Sequence, residues 1–253
     1  MVNEPSWDEH EMKPPLQKPV ILYVAKRQGS YAITGAWVAV TLAAILLAIP
    51  YEAESFQELG AHIRQQEQQI AILGVTIEGG HEIGALAHLV VVFAERADAS
   101  GLAVVFPRAS GRLSPMAETS VQQAIYRAAR VARLSTDSWS VRVSVLQSGL
   151  TIHGSSLSAM VGVTVIALAK GHSILPDRVI TGTIAPDGCI AMVSGVPLKL
   201  DAAHHAHYKQ VLVPEEISIS DGDWRTPFLM QVSPVGSLQQ AYLGLTGFPL
   251  FSP

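Results

Sequence analysis

The stretch HGSSLSAMVGVTVIALAKG, His153–Gly171, begins with a turn of small and polar residues and continues as an apolar run. Glycine readily adopts the left-handed conformation that ends helices, so Gly171 can close a helix here. The pattern predicts a buried helix that is entered through a tight turn. The positive end of such a helix and its backbone N–H groups can stabilise a developing oxyanion. Ser156, which lies in the turn, is therefore a candidate nucleophile.

Local sequence leaves a second interpretation of this turn open. Serine is a common N-cap residue, so Ser155 or Ser156 could simply cap the helix. The near-match G-x-S-x-S at 154–158 lacks the final glycine of the nucleophile elbow found in hydrolases. A serine hydroxyl also needs a base before it can attack a carbonyl.

Lys199 is the candidate base. It lies in VPLKL, among apolar neighbours, and is one of only three lysines after residue 52, with Lys170 and Lys209. Desolvation disfavours the charged ammonium and lowers the pKa of a lysine, as a general base near neutral pH requires. The alternative is a lysine whose stem lies on apolar surface while its head group reaches water.

Helix and strand patterns alternate around these two segments. A hairpin is expected from the apolar runs 86–95 and 102–106, and Ser114-Pro115 predicts the start of a helix that reaches residue 134. Further strands are expected at 141–145, 179–184, 189–193 and 211–213, and further helices from residue 196 and over 237–243. The fold class is therefore α+β (mixed α/β), with a domain over 81–253.

The composition has an unusual deficit of charge. Charged residues make up 15 % of the 253 residues, against about 25 % in ordinary soluble domains. No charged residue occurs between Arg27 and Glu52, and about 20 apolar residues suffice to span a bilayer as a helix. A transmembrane helix is predicted over 29–51, with a buried core helix as the alternative.

The flanks of this segment predict its orientation. Basic residues lie on its N-terminal side, in the proline-containing tail 1–28, whereas Glu52, Glu54 and Glu58 follow it. Because positive charge tends to stay cytoplasmic, the tail is expected in the cytoplasm. The expected location is a bacterial-type inner (plasma) membrane, crossed once, with the C-terminal domain in the periplasm.

Segment 52–80 carries a heptad-like pattern. Its positions follow steps of three and four residues: Phe56, Leu59, Ile63, Gln66, Ile70 and Leu73. This spacing predicts a helical linker or stalk that could self-associate, or one amphipathic helix packed on its own domain. Gly79 and Gly80 end the pattern.

Several classes of function are disfavoured by the sequence. The net charge of −4 and the scarcity of lysine argue against nucleic-acid binding. The single cysteine, Cys189, excludes an internal disulfide and a cysteine-based zinc cluster. No phosphate-binding G-x-x-x-x-G-K-[ST] motif occurs. His204, His205 and His207 lie close in sequence but lack evident further ligands, so no metal and no cofactor is expected.

From about residue 110 to 245 the sequence resembles the proteolytic domain of Lon-type proteases. In that family a serine in D-G-P-S-A-G precedes by 43 residues a lysine in G-G-L-K-E-K. Here HGSSLS and SGVPLKL place Ser156 and Lys199 at the same separation. Thr181-Gly182 falls on the family's T-G-E, and AAHHAHYKQVLVPEE resembles its A-A-H-R-G-G-I-K-T-V-L-I-P-E-E.

The resemblance implies a Ser–Lys dyad. Ser156 would be the nucleophile, Lys199 the general base, and Thr181 the residue that orients the lysine. The surroundings depart from the family motifs at His153, Ser155, Leu157-Ser158, Thr183 and Pro197. His153, which replaces the acidic residue, is a candidate third polar partner or a solvated turn residue.

The sequence therefore predicts a membrane-anchored, ATP-independent serine endopeptidase that acts on peptides or proteins. It is expected to contact lipid through 29–51 and to form a homo-oligomer or join a membrane complex. The alternative is a catalytically inactive Lon-like domain that serves as a structural subunit of such a complex. A third possibility is a factor that cleaves only itself.

Overall fold

A computed structural model of the chain describes residues 62–216 and 229–251, and side chains from residue 65 onward. The predicted tail 1–28, the predicted transmembrane helix 29–51 and the first part of the predicted stalk lie outside the described residues. Among the helices of the described ranges, none is both long enough and apolar enough to cross a membrane.

Eleven strands and four helices alternate along the described residues. The strands are β1 His62–Glu78, β2 His81–Arg96, β3 Ala103–Val105, β4 Arg112–Leu113, β5 Trp139–Val145, β6 Thr151–Ile152, β7 Arg178–Ile180, β8 Thr183–Ile184, β9 Ile190–Ala191, β10 Gln210–Pro214 and β11 Gln231–Val235. The helices are α1 Pro115–Val131, α2 Ser158–Lys170, α3 Val196–His205 and α4 Leu238–Thr246. The mixed α/β class is confirmed.

A four-stranded sheet in the order β1-β2-β5-β3 forms one layer. β1 and β2 are antiparallel along their whole length and form a long ribbon, with Gly79 and Gly80 at its turn. β2 pairs antiparallel with β5, and β3 pairs parallel with β5. The predicted hairpin between 86–95 and 102–106 is therefore wrong, since β5 separates the two strands.

The helical prediction for segment 52–80 is wrong over 62–78, where the chain is strand β1. The reason lies in the burial of four consecutive residues, 70–73. Ile70 and Ile72 face the main core, whereas Ala71 and Leu73 face a second, smaller core. A strand covered on both faces loses its alternation of apolar and polar residues, and helical spacing can then fit it by chance.

The two cores lie on opposite faces of the β1–β2 ribbon. The main core joins one face of the large sheet to α1, α2 and α4. The second core joins Ala71 and Leu73 to α3 and to a parallel sheet in the order β11-β10-β7. One end of the ribbon therefore lies between the segment that leads into α2 and helix α3.

Most other predicted elements agree with the structure. Ser114 caps α1, and its side chain accepts a hydrogen bond from the backbone N–H of Ala117. Gly171 ends α2 in the left-handed conformation, with φ of 77°. Ser237 and Gln240 form a capping box at the start of α4. Strands β4, β6 and β11 were not predicted, and the single strand predicted over 179–184 is two strands, β7 and β8, in different sheets.

Candidate active site

Ser156 lies in the turn immediately before α2 and is half-buried. Gly154 enters this turn with φ of 87°, a left-handed conformation that glycine adopts at little cost. The N-cap position of α2 is Leu157, and no side chain caps the helix by a hydrogen bond. The capping interpretation of Ser155 and Ser156 is therefore not supported, because the Ser156 hydroxyl makes no capping hydrogen bond to the start of α2.

Thr181 is held beside the Ser156 turn by backbone hydrogen bonds. The Gly182 N–H donates to the Ser156 carbonyl oxygen at 3.0 Å, and the Ala159 N–H donates to the Gly182 carbonyl oxygen at 3.1 Å. Thr181 itself follows β7, and its N–H donates to the Leu212 carbonyl oxygen of β10. The carboxyl end of a parallel strand thus presents Thr181 next to the candidate nucleophile.

The Thr181 side chain is 1 % exposed, and its hydroxyl oxygen has no hydrogen-bond partner among the described residues. A buried hydroxyl without a partner costs about 1–3 kcal/mol. Such a cost is seldom retained in a fold without a role, so this hydroxyl is an indicator of function.

Lys199 lies in the first turns of α3 and is 4 % exposed. Gly195 precedes the helix with φ of 69°, and Pro197 occupies its first turn. One hydrogen bond of the ammonium group runs from Nζ to the Ser194 carbonyl oxygen at 2.8 Å. Lysine is almost never fully buried unless it is paired, and this bond to a backbone carbonyl is consistent with that rule. The burial of Lys199 argues against the alternative in which its head group reaches water.

Helix α3 approaches the β1–β2 ribbon closely at Gly84. A Cβ atom at Gly84 would lie 1.8 Å from the Leu198 carbonyl oxygen, and one at Gly195 would lie 2.9 Å from the Val75 side chain. Val75 and Gly84 are directly opposite each other in the ribbon. Only glycine at position 84 therefore allows the start of α3 to rest on the ribbon.

A small cleft opens where the Ser156 turn meets the same part of the ribbon. This Ser156 cleft is lined by Ile72, Leu73, Gly74, Ala85, Ala87, Ile152, His153, Ser156 and Leu157. Gly74 and Ala85 are paired in the ribbon, one position along from the Val75 and Gly84 pair that supports α3. The Ser156 turn and the Lys199 helix therefore meet the ribbon at adjacent residue pairs. Because successive residues of a strand face opposite sides of the sheet, the turn and the helix contact opposite faces of the ribbon.

His153 lines the cleft beside Ser156, at the position expected of a third polar partner. The histidine cluster at the end of α3 lies outside this cleft. His204, His205 and His207 are exposed, and no group of three or more metal-ligating side chains occurs in the described parts of the chain.

Sequence reasoning missed the contribution of the ribbon to this site. Gly74, Gly84, Ala85 and Ala87 supply the space for both the cleft and α3. A glycine inside an apolar strand often marks a close approach by another backbone, and Gly74 and Gly84 carried that signal.

Two known proteins are similar to this chain. An archaeal Lon protease of Thermococcus kodakarensis is 28 % identical over 155 residues, which cover 56 % of this chain and 24 % of the relative. An archaeal Lon protease of Pyrococcus abyssi is 27 % identical over 166 residues, which cover 60 % and 16 %. These matches support a Lon-type protease domain. No protein-family model matches the chain.

The matched segment corresponds to a minor part of either relative. The chain spans about a quarter of the Thermococcus protein and about a sixth of the Pyrococcus protein. The coarse prediction of a protease-like domain of mixed α/β class agrees with these matches.

Proposed function

We propose that the chain is a serine endopeptidase in which Ser156 is the nucleophile, Lys199 the general base and Thr181 the residue that orients the lysine. The observation that carries the proposal is the placement of the buried, unpaired Thr181 hydroxyl beside the turn that holds the uncapped Ser156. The buried Lys199 lies in α3, which contacts the ribbon at the residue pair next to one that lines the Ser156 cleft. The distant similarity to archaeal Lon proteases supports the same assignment.

The proposed chemistry assigns steps to Ser156 and Lys199. Lys199 takes the proton from Ser156 as the hydroxyl oxygen attacks a peptide carbonyl. Backbone N–H groups near the positive end of α2 can stabilise the resulting oxyanion. Lys199 then returns its proton to the departing amine, and water hydrolyses the acyl-enzyme.

Labelling by a fluorophosphonate, followed by peptide mapping, tests the nucleophile in the full-length chain. Ser156 should be labelled in the wild type, and Ser156→Ala should lose labelling and at least about 10³-fold of peptidase activity. Ser155→Ala is the matched control and should keep both. Absence of labelling and of activity in a folded wild type would favour the alternative, an inactive Lon-like structural subunit.

Removal of the base gives a separate test. Lys199→Ala should abolish labelling at neutral pH, whereas Lys209→Ala should keep it, because the Lys209 side chain is 79 % exposed and pairs with Asp177. Labelling of Lys199→Ala at the wild-type rate would remove Lys199 from the mechanism.

We also propose that residues 29–51 anchor the domain in a membrane, with the domain on the extracytoplasmic side, and that the protein works without ATP. The uncharged segment, its basic N-terminal flank and the lack of a phosphate-binding motif support these proposals. Resistance of the protein to carbonate extraction and digestion of the domain by protease in spheroplasts are expected. Protection of the domain in intact spheroplasts would reverse the orientation.

A further inference from the structure

We infer that the Ser156 cleft selects the methyl side chain of alanine on the substrate residue whose carbonyl is attacked. This inference rests on the proposed function, since it needs Ser156 to be the nucleophile. The side chain next to an attacked carbonyl lies close to the nucleophile, and the cleft is the recess that the Ser156 turn itself lines.

The walls of the cleft favour an apolar side chain. None of the described residues that line it is Asp, Glu, Lys or Arg, and His153 is the polar neighbour of Ser156 there. A charged side chain would lose its hydration without gaining a partner, which costs far more than apolar burial can return.

The size of the cleft favours a small side chain. Its interior has space for about one water molecule, comparable to a methyl group. Ile152 and Leu157, 1 % and 2 % exposed, belong to the main core and cannot withdraw without disrupting it. The remaining space exists because Gly74 is paired with Ala85, and Ile72 with Ala87, in the ribbon.

Two substitutions should change the selectivity in opposite directions. Ala85→Val adds two methyl groups to the lining of the cleft, in a strand that favours branched residues. It should slow reaction with every side chain larger than glycine. Ile72→Ala removes three carbons from the wall and should admit leucine and phenylalanine. Ala103→Val, on β3, is the matched control for the added bulk.

The test uses full-length protein and acetyl-glycyl-Xaa p-nitrophenyl esters in which Xaa is Gly, Ala, Val, Leu or Phe. Ser156 Oγ forms an ester bond to the acyl carbon as nitrophenolate leaves, and water later releases the acid. The alanine ester should react at least about tenfold faster than the phenylalanine ester. Ile72→Ala should reduce this ratio at least about threefold, and Ala103→Val should leave it unchanged. Thermal unfolding verifies that each variant is folded.

The outcomes separate this inference from the proposed function. Fluorophosphonate labelling of Ser156 with equal rates for alanine and phenylalanine esters would overturn the selectivity alone. An unchanged ratio in a folded Ile72→Ala variant would likewise exclude the cleft as its source. No labelling and no ester hydrolysis above the Ser156→Ala background would overturn both.

Discussion

The Gly182 N–H donates a 3.0 Å hydrogen bond to the carbonyl oxygen of Ser156, the candidate nucleophile. This bond fixes the end of a parallel strand against the turn that enters α2. Thr181, the preceding residue, is consequently held in the interior with a hydroxyl that has no hydrogen-bond partner in the described structure. The Lys199 ammonium group therefore does not bond to this hydroxyl in the structure, and it donates to the Ser194 carbonyl oxygen.

Thr181→Val should stabilise the protein and impair its activity. Valine has nearly the shape of threonine and removes the unpaired hydroxyl, so the free energy of unfolding should rise by about 1 kcal/mol. If Thr181 orients Lys199, kcat should fall at least about tenfold, and Thr181→Ser should restore most of it. Urea unfolding and peptidase assays measure the two effects.

Thr246→Val is the matched control for this substitution. Thr246 is 2 % exposed, and its hydroxyl donates to the Tyr242 carbonyl oxygen at 2.7 Å and accepts from the Phe248 N–H at 3.1 Å. Loss of a satisfied hydroxyl should lower the free energy of unfolding by about 1–2 kcal/mol and leave kcat unchanged. A Thr181→Val variant that is less stable and fully active would contradict the orienting role.

The sequence was sufficient to predict the elements whose signals are local. The Ser114 cap, the left-handed Gly171 and the apolar run between His153 and Gly171 depend on neighbouring residues, and these elements are confirmed. Strand β1 could not be recognised in this way, because its burial depends on two cores contributed by distant parts of the chain.

The same distinction applies to the candidate site. Ser156, Lys199 and Thr181 are candidates through motif resemblance, whereas the β1–β2 ribbon, which the Ser156 turn and α3 contact, was not predicted. The position of the ribbon follows from tertiary contacts of Gly84, and sequence spacing carries no information about which helix a strand glycine will meet.

Tyr242→Phe should remove an alkaline dependence of stability. Tyr242 is fully buried, its hydroxyl lies 2.7 Å from His172 Nδ1, and burial raises the pKa of its phenol to about 12. The folded state thus keeps the proton at a pH where the unfolded chain, with a tyrosine pKa near 10, has begun to lose it. The stabilisation is fully present below about pH 10 and is lost as the pH rises towards 12.

The expected loss between pH 9 and pH 12 is about 2 kcal/mol larger in the wild type than in Tyr242→Phe. Urea unfolding at the two pH values measures it. Tyr126→Phe, at a tyrosine that is 58 % exposed, is the control and should follow the wild type. Equal pH dependence in Tyr242→Phe and the wild type would contradict the assignment to Tyr242.

Asp187→Asn should make Cys189 more reactive. The Asp187 carboxylate accepts a hydrogen bond from the Cys189 N–H at 3.0 Å. A side-chain hydrogen bond from the thiol to the same carboxylate raises the pKa of Cys189. Neutralising residue 187 should lower that pKa, increase the thiolate fraction and speed alkylation at pH 7.5 about threefold.

The alkylation rate reports on Cys189 alone, because Cys189 is the single cysteine of the 253 residues. Iodoacetamide incorporation followed by mass spectrometry gives the rate. Asp177→Asn, at a carboxylate that pairs with Lys209, is the control and should leave the rate unchanged. A slower reaction in Asp187→Asn would show that the carboxylate does not hold the thiol.

Gly84→Ala should destabilise the fold and separate α3 from the ribbon. The added Cβ would lie 1.8 Å from the Leu198 carbonyl oxygen, a backbone atom that can move only with the start of α3. The free energy of unfolding should fall by about 3 kcal/mol. Gly79→Ala is the control, because that glycine has φ of 60° and no atom near its added Cβ, so its cost should be about 1 kcal/mol.

The same pair of variants tests the position of Lys199. Since Lys199 moves with α3, Gly84→Ala should lose at least about tenfold in kcat under conditions where it remains folded, whereas Gly79→Ala should keep wild-type activity. Equal stability and activity in the two variants would show that contact between α3 and the ribbon does not position the lysine.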